Sequence, residues 1–170
     1  YISGRTDIQN STLGAVFVKL EHNFKNDEGK TYNLPIQFWD TAGQERYNSL
    51  IPMYVRDADY VILAFDLSNI ISFFNLKKWL NFGKDSVKNP IFVLVGCKND
   101  LKKNVSDEEV EKFREENIPD SKFFKCSSMT GENISELFLH IKLGLEKVGE
   151  NRILLNSFDF NILQYSFLFV

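Results

Sequence analysis

The stretch Trp39-Asp40-Thr41-Ala42-Gly43-Gln44-Glu45 decides the reading of this chain. Gln37-Phe38-Trp39 closes an apolar strand, so Asp40 is expected to emerge at a carboxyl end of a sheet, where a carboxylate can hold a water on a phosphate-bound Mg²⁺. Gly43 brings its backbone N–H close to a terminal phosphate with no Cβ in the way. Gln44 follows at once, and its carboxamide can both donate to and accept from an attacking water, as phosphoryl transfer requires. Asp-x-x-Gly alone would be a polar turn after a strand. Seven consecutive residues of this kind instead have the layout of a nucleoside-triphosphate switch.

Outward from that stretch, residues 14 to 24 and 31 to 39 read as two strands. Asn26-Asp27-Glu28-Gly29-Lys30 between them carries the turn chemistry of a hairpin. Tyr60-Val61-Ile62-Leu63-Ala64-Phe65 and Ile91-Phe92-Val93-Leu94-Val95-Gly96 are unalternating apolar runs, the pattern of strands buried on both faces in a parallel sheet. Ile71, Phe74, Leu76, Trp79 and Leu80 predict an amphipathic helix between them. Asp107 to Glu116 predicts a polar helix with Val110 and Phe113 inward. A further strand, Lys122 to Cys126, leads to a last helix from Asn133, with Ile134, Leu137, Phe138, Ile141, Leu145 and Val148 at helical spacing. Strands alternating with helices specify a doubly wound α/β fold whose ligands bind at strand ends.

Composition narrows the class. A chain of 170 residues with 44% hydrophobic content suits one packed domain. Net charge is −3, with Lys and Arg scattered rather than gathered, so no nucleic-acid partner is expected. Cys97 and Cys126 close two separate predicted strands rather than forming a spaced framework, which suits a reducing cytosol better than a secreted disulfide scaffold.

The switch stretch resembles switch II of the Ras superfamily of small GTPases, and its surroundings resemble the Rab family. Ser11 to Phe17, Glu45 to Leu50, Pro52-Met53-Tyr54-Val55-Arg56 and Leu63 to Ser68 match Rab-type segments in order, most like the early-endosomal branch. The likeness covers roughly the first 148 residues. It implies GTP/GDP and Mg²⁺ as ligands, effector proteins, an exchange factor and a GTPase-activating protein as partners, and the cytosolic face of endosomal or other vesicle membranes as location. Residues 1–150 would be the Rab-like domain, with 151–170 an atypical apolar tail.

The resemblance also implies roles. Thr12 would ligate Mg²⁺ when the terminal phosphate is present, with Asp40 acting through water, and Thr12 and Gly43 would be released together on hydrolysis. Gln44 would orient the water. Lys98 and Asp100 would recognise guanine, the Asp by accepting two hydrogen bonds and the Lys by packing its stem along the base. Cys97 stands where the family has Asn, a loss of about 1–3 kcal/mol if a buried partner is left unpaired, or roughly five- to 150-fold in affinity. Ser127, Ser128 and Met129 occupy the second base loop, with Ser and Met in place of the family's Ala and Lys; a plain Ser-rich turn is the competing reading. Phe17, Trp39 and Tyr54 match the aromatic triad that Rabs present to effectors, and Arg46 and Tyr47 would share that surface. From composition alone these aromatics would be core.

Two departures shape the expectations. The family's Gly-x-x-x-x-Gly-Lys-Ser/Thr phosphate loop is absent from these 170 residues. Tyr1 falls where the family approaches switch I. The expectation is therefore a chain whose first strand, phosphate loop and first helix lie upstream of Tyr1, inactive as a GTP hydrolase without them, with the neighbours of the lost strand unpaired. A degenerate, nucleotide-free interaction module or a non-functional fragment is the alternative. The tail from Ile153 to Val170 is Phe- and Leu-rich with Asp159 its one charge, too interrupted for a membrane span of about 20 apolar residues. Rabs are membrane-associated through prenylated cysteines near the C-terminus, and no Cys follows Cys126, so lipid attachment does not follow from this sequence.

Overall fold

A computed structural model describes residues 15–25, 29–41, 58–155 and 165–169. In chain order these form β1 (Ala15–Lys25), β2 (Thr31–Thr41), β3 (Tyr60–Asp66), α1 (Ile70–Phe74), α2 (Leu76–Ser86), β4 (Ile91–Cys97), α3 (Asp107–Asn117), β5 (Lys122–Lys125), α4 (Ile134–Leu155) and β6 (Tyr165–Phe169). The strands make one six-stranded sheet in the order β1-β2-β6-β3-β4-β5. Only the β1–β2 pair is antiparallel among these neighbours; β2, β6, β3, β4 and β5 run parallel. All five parallel strands therefore end at one edge, where ligands bind in such sheets.

The apolar runs behave as expected. Along β3, Val61, Leu63 and Phe65 join a core with α1, α2 and α3, through residues such as Phe73, Leu76, Leu80 and Val110. Tyr60 and Ile62 join a second core with Val93, Val95, Leu137, Ile141 and Leu145. Successive residues of a strand face opposite ways, so one continuous apolar run feeds both layers. Val110 is buried and Phe113 partly so, as the α3 pattern predicted. The start of α3 is fixed by a capping box in which Ser106 Oγ accepts from Glu109 N–H at 3.2 Å and Glu109 Oε2 accepts from Ser106 N–H at 2.9 Å.

Three expectations are corrected. The helix predicted through Ile71, Phe74 and Leu80 divides at Asn75, whose N–H donates to Ile71 O. The break shifts the phase: Phe73 is buried at 8% exposure, whereas Ile71 and Phe74 are 65% and 68% exposed. β2 continues to Thr41, so Asp40 is its penultimate residue rather than the first beyond it. Finally, the strands expected to lack a central partner are paired over part of their length. β6, from the atypical tail, lies between β2 and β3, with Ile36–Asp40 in register with Tyr165–Phe169 and Tyr60–Ile62 with Phe167–Phe169.

One close approach fixes the α4 layer. A Cβ on Gly144 would lie 1.7 Å from Tyr60 Oη, so glycine at that turn lets the helix settle over the buried tyrosine.

Candidate functional site

The carboxyl edge of the sheet gathers Asp66 at the end of β3, Cys97 at the end of β4, and the segment after β5. Asp66 and Cys97 are register partners. Lys98 then takes a left-handed backbone, φ 58°, which turns the chain out of β4. Its ammonium pairs with Asp66 Oδ2 at 2.6 Å. Ser68 donates to the other oxygen, Oδ1, through N–H at 2.8 Å and Oγ at 2.6 Å. Burial raises the Asp66 pKa, but the Lys98 and Ser68 hydrogen bonds outweigh it and hold the carboxyl below its ordinary range. The same carboxylate raises Lys98 by hydrogen bonding to its charged form. Lys98 therefore has a partner other than a base, and its stem remains accessible, the side chain being 57% exposed.

Asn99 and Asp100 tie this turn to the loop after β5. Asn99 N–H donates to Cys126 O at 3.0 Å, continuing the β4–β5 ladder past its end. Its side-chain Nδ2 donates to Glu132 Oε1 at 2.8 Å, while its Oδ1 is buried without a hydrogen-bond partner among the described residues. Ser127, wholly buried, donates from Oγ to Asp100 Oδ1 at 2.5 Å and accepts there from Thr130 N–H at 3.2 Å. Asp100 itself is exposed. One carboxylate oxygen is thus oriented by a fixed hydroxyl, while Oδ2 accepts no hydrogen bond among the described residues, so an acceptor is offered at the sheet edge. A planar ligand with adjacent N–H donors fits that presentation.

The loop that carries Ser127 is closed by its own backbone. Ser127 N–H donates to Glu132 O at 3.1 Å and Gly131 N–H to Ser127 O at 2.9 Å, with Gly131 at φ 83°. Asn133 Nδ2 donates to Lys125 O at 2.7 Å. Ser128 is exposed, and Met129 is 75% exposed. Of the sequence-predicted base residues, the fold joins Asp100 and Ser127 by a direct hydrogen bond, pairs Lys98 instead with Asp66, and leaves Ser128 and Met129 on the rim.

Cys97 is half-buried and packs against the α4-side core that holds Cys126. Burial raises its thiol pKa, and the Asp66 carboxylate raises it further. Burial likewise pushes Cys126 to about 11. Both are free thiols, held as weakly polar packing groups rather than reactive ones.

The switch residues are less completely placed. Asp40 lies at the carboxyl end of β2, in register with Val16 and Phe169 and at the same sheet edge as Asp66 and Cys97. Phe17 and Trp39 are register partners across the β1–β2 hairpin, so two of the three aromatic positions are adjacent. Thr12, Gly43, Gln44, Arg46, Tyr47 and Tyr54 lie outside the described residues. Among the described residues no group of three or more His, Cys, Asp and Glu could hold a metal ion, and no helix is long and apolar enough to cross a membrane.

Sequence reasoning assigned no role to Asp66, Ser68 or Glu132. Asp66-Leu67-Ser68 carried a signal: an Asp-x-Ser ending a buried strand is a self-capping turn, well placed to hold a cation from the next strand end. Glu132 had none, since its partner Asn99 is 33 residues away.

Comparison with known sequences agrees with this architecture. The family model described as the Ras family matches residues 6–147. The chain is 43% identical over 129 residues to the Ras-related protein Rab-5B of Plasmodium falciparum, covering 75% of this chain and 59% of that one. It is 38% identical over 140 residues to the putative ras-related protein Rab-5B of Dictyostelium discoideum, covering 81% and 61%. With the Ras-related protein RABF2a of Arabidopsis thaliana it shares 38% over 146 residues, covering 84% and 69%. The chain thus spans about three fifths of the length of the first two relatives. The mixed sheet with helices on both faces is that of the small-GTPase fold, and the chain belongs to the Ras family, within the Rab branch to which these Rab5-type relatives belong.

Proposed function

We propose that this protein is a Rab-type guanine-nucleotide switch of endosomal or vesicle traffic. The observation that supports this best is the buried Ser127 hydroxyl fixing Asp100 at the carboxyl edge of β4, with Lys98 beside it. Guanine presents two adjacent N–H donors, the complement of a carboxylate held this way; adenine presents no such pair, so Asp100 would select guanine. Mg²⁺ would be held by Thr12 and, through water, by Asp40, and would supply charge neutralisation on the phosphates. Gln44 would orient the attacking water and Gly43 would approach the terminal phosphate. Effectors would read the hairpin around Phe17 and Trp39, together with Arg46, Tyr47 and Tyr54, while an exchange factor and a GTPase-activating protein would set the nucleotide state. The site of action would be the cytosolic face of endosomal membranes.

A second reading is favoured by Cys97 and by the Lys98–Asp66 pair: an interaction module that keeps the hairpin surface without nucleotide. Equilibrium binding of fluorescent GDP and ADP separates them. A switch binds GDP with Mg²⁺ dependence, prefers it over ADP by at least about 100-fold, and loses that preference in Asp100→Ala. Equal, Asp100-independent binding or none supports the module.

A further inference from the structure

The turn after β4 and the loop after β5 are joined by two side-chain links. The second of these carries an inference that rests on the guanine-site reading above. The β4–β5 ladder ends where Cys126 N–H donates to Gly96 O at 2.8 Å and Asn99 N–H to Cys126 O at 3.0 Å. Side chains take over beyond it: Ser127 Oγ donates to Asp100 Oδ1 at 2.5 Å, and Asn99 Nδ2 donates to Glu132 Oε1 at 2.8 Å.

The two links close a ring. Ser127 N–H donates to Glu132 O at 3.1 Å, so Glu132 is tied to Ser127 by its backbone and to Asn99 by its carboxylate. Asn99 is covalently next to Asp100, whose carboxylate the Ser127 hydroxyl holds. Asn99, Asp100, Ser127 and Glu132 therefore form one closed circuit across the sheet edge. A lone hydroxyl contact lets a carboxylate swing about it, whereas a second anchor one residue away fixes how Asp100 is presented.

The amide of Asn99 is held there at a cost. A carboxylate only accepts hydrogen bonds, so Nδ2 must face Glu132, and Oδ1 is left buried without a hydrogen-bond partner among the described residues. A side chain serving stability alone would do better without an orphaned acceptor. Cys97, two residues earlier, packs its thiol against the α4-side core, so Asn99 carries the first amide side chain after β4.

We infer that Asn99 and Glu132 are positioning residues for base recognition: their hydrogen bond locks the β4 turn to the Ser127 loop and so aligns Asp100 with both N–H donors of guanine. Neither residue needs to touch the base. Misalignment costs most the contact that requires two acceptor oxygens in place, so base discrimination suffers before nucleotide binding in general does. Inosine diphosphate lacks the exocyclic amino group of guanine and reports that contact directly.

Equilibrium titration of the full chain with GDP and inosine diphosphate in Mg²⁺ tests this. The parent should prefer GDP by at least about tenfold. Asn99→Ala and Glu132→Ala should each lower that preference by at least about threefold, and the double variant no further than either alone. Glu132→Gln keeps an acceptor oxygen and should stay within about twofold of the parent. Because Asn99→Ala also removes the orphaned acceptor, its melting temperature should stay within about 2 °C of the parent. An unchanged preference in Asn99→Ala and Glu132→Ala would overturn the positioning role while leaving the guanine site standing. A lowered melting temperature with GDP and inosine diphosphate weakened alike would make the contact merely structural and overturn it too. A parent that binds neither, or both equally, would instead overturn the guanine-site reading itself, and this inference with it.

Discussion

Replacing Ser127 by Ala removes one oxygen from the most constrained point of the site. The hydroxyl is wholly buried and makes two hydrogen bonds, to the Asp100 carboxylate at 2.5 Å and from Thr130 N–H at 3.2 Å. A hydrogen bond to a charged group is worth about 1.5–3 kcal/mol. Asp100 and Thr130 are exposed, so water can take over part of both interactions, and the lower end of that range applies. The expected loss is about 1.5 kcal/mol of folding stability, equivalent to roughly 3–6 °C in melting temperature for a domain of this size. Urea unfolding followed by tryptophan fluorescence measures it, with the slope unchanged if the denatured state is unaffected. Asp100→Ala in the same cycle should show a coupling energy with Ser127→Ala of at least about 0.5 kcal/mol. Additive single variants, or a Ser127→Ala midpoint equal to that of the parent, would refute the claim that this pair is a built element.

Gly144→Ala should destabilise despite a helix-propensity gain of about 1 kcal/mol, because the new methyl meets buried Tyr60 Oη at 1.7 Å; overpacking of about 1–3 kcal/mol should lower the melting temperature, and Tyr60→Phe should recover part of it. The Asp66–Lys98 pair gives a pH signature. The Asp66 pKa is lowered, so its contribution is present above the ordinary value of 3.8 and is lost as pH falls through the lower folded value; the Lys98 pKa is raised, so its contribution is present below 10.5 and is lost as pH rises through the higher folded value. With Lys98 largely exposed, the effect is at most about 1 kcal/mol, and Asp66→Asn should flatten both limbs of a stability-against-pH curve. Cys97→Asn should raise GDP affinity by roughly five- to 150-fold in a calorimetric titration, the counterpart of about 1–3 kcal/mol.

The parts of the fold legible in the sequence were those set by burial. Val61–Phe65 and Val93–Val95 lack alternation because both faces are covered, and that property is local to the run, although Ile91 at the start of β4 is exposed. α3 was legible for a similar reason, since Ser106 and Glu109 stand three residues apart and cap the helix from within the segment. The division at Asn75 was not: Ile71, Phe74 and Leu80 fit one helical face, and only the packing of Phe73 against Phe65, with ring centres 5.2 Å apart, selects the other phase. β6 shows the larger limit. Its strand-forming pattern is present in Tyr165–Phe169, but pairing partners more than 100 positions away leave no trace in local periodicity. In the site, Lys98 and Asp100 were recognisable from their place after β4, whereas the Asp66 carboxylate that engages Lys98 and the Glu132 carboxylate that engages Asn99 are tertiary contacts.

Guanine-nucleotide binding at the Asp100 and Ser127 loops is tested by identifying the small molecule released when the protein, purified from its own cells in Mg²⁺, is denatured. GDP or GTP should be released at close to one per chain, falling to background in Asp100→Ala with the fold retained. Release of no nucleotide from the folded protein, or of adenine nucleotide instead, would contradict it.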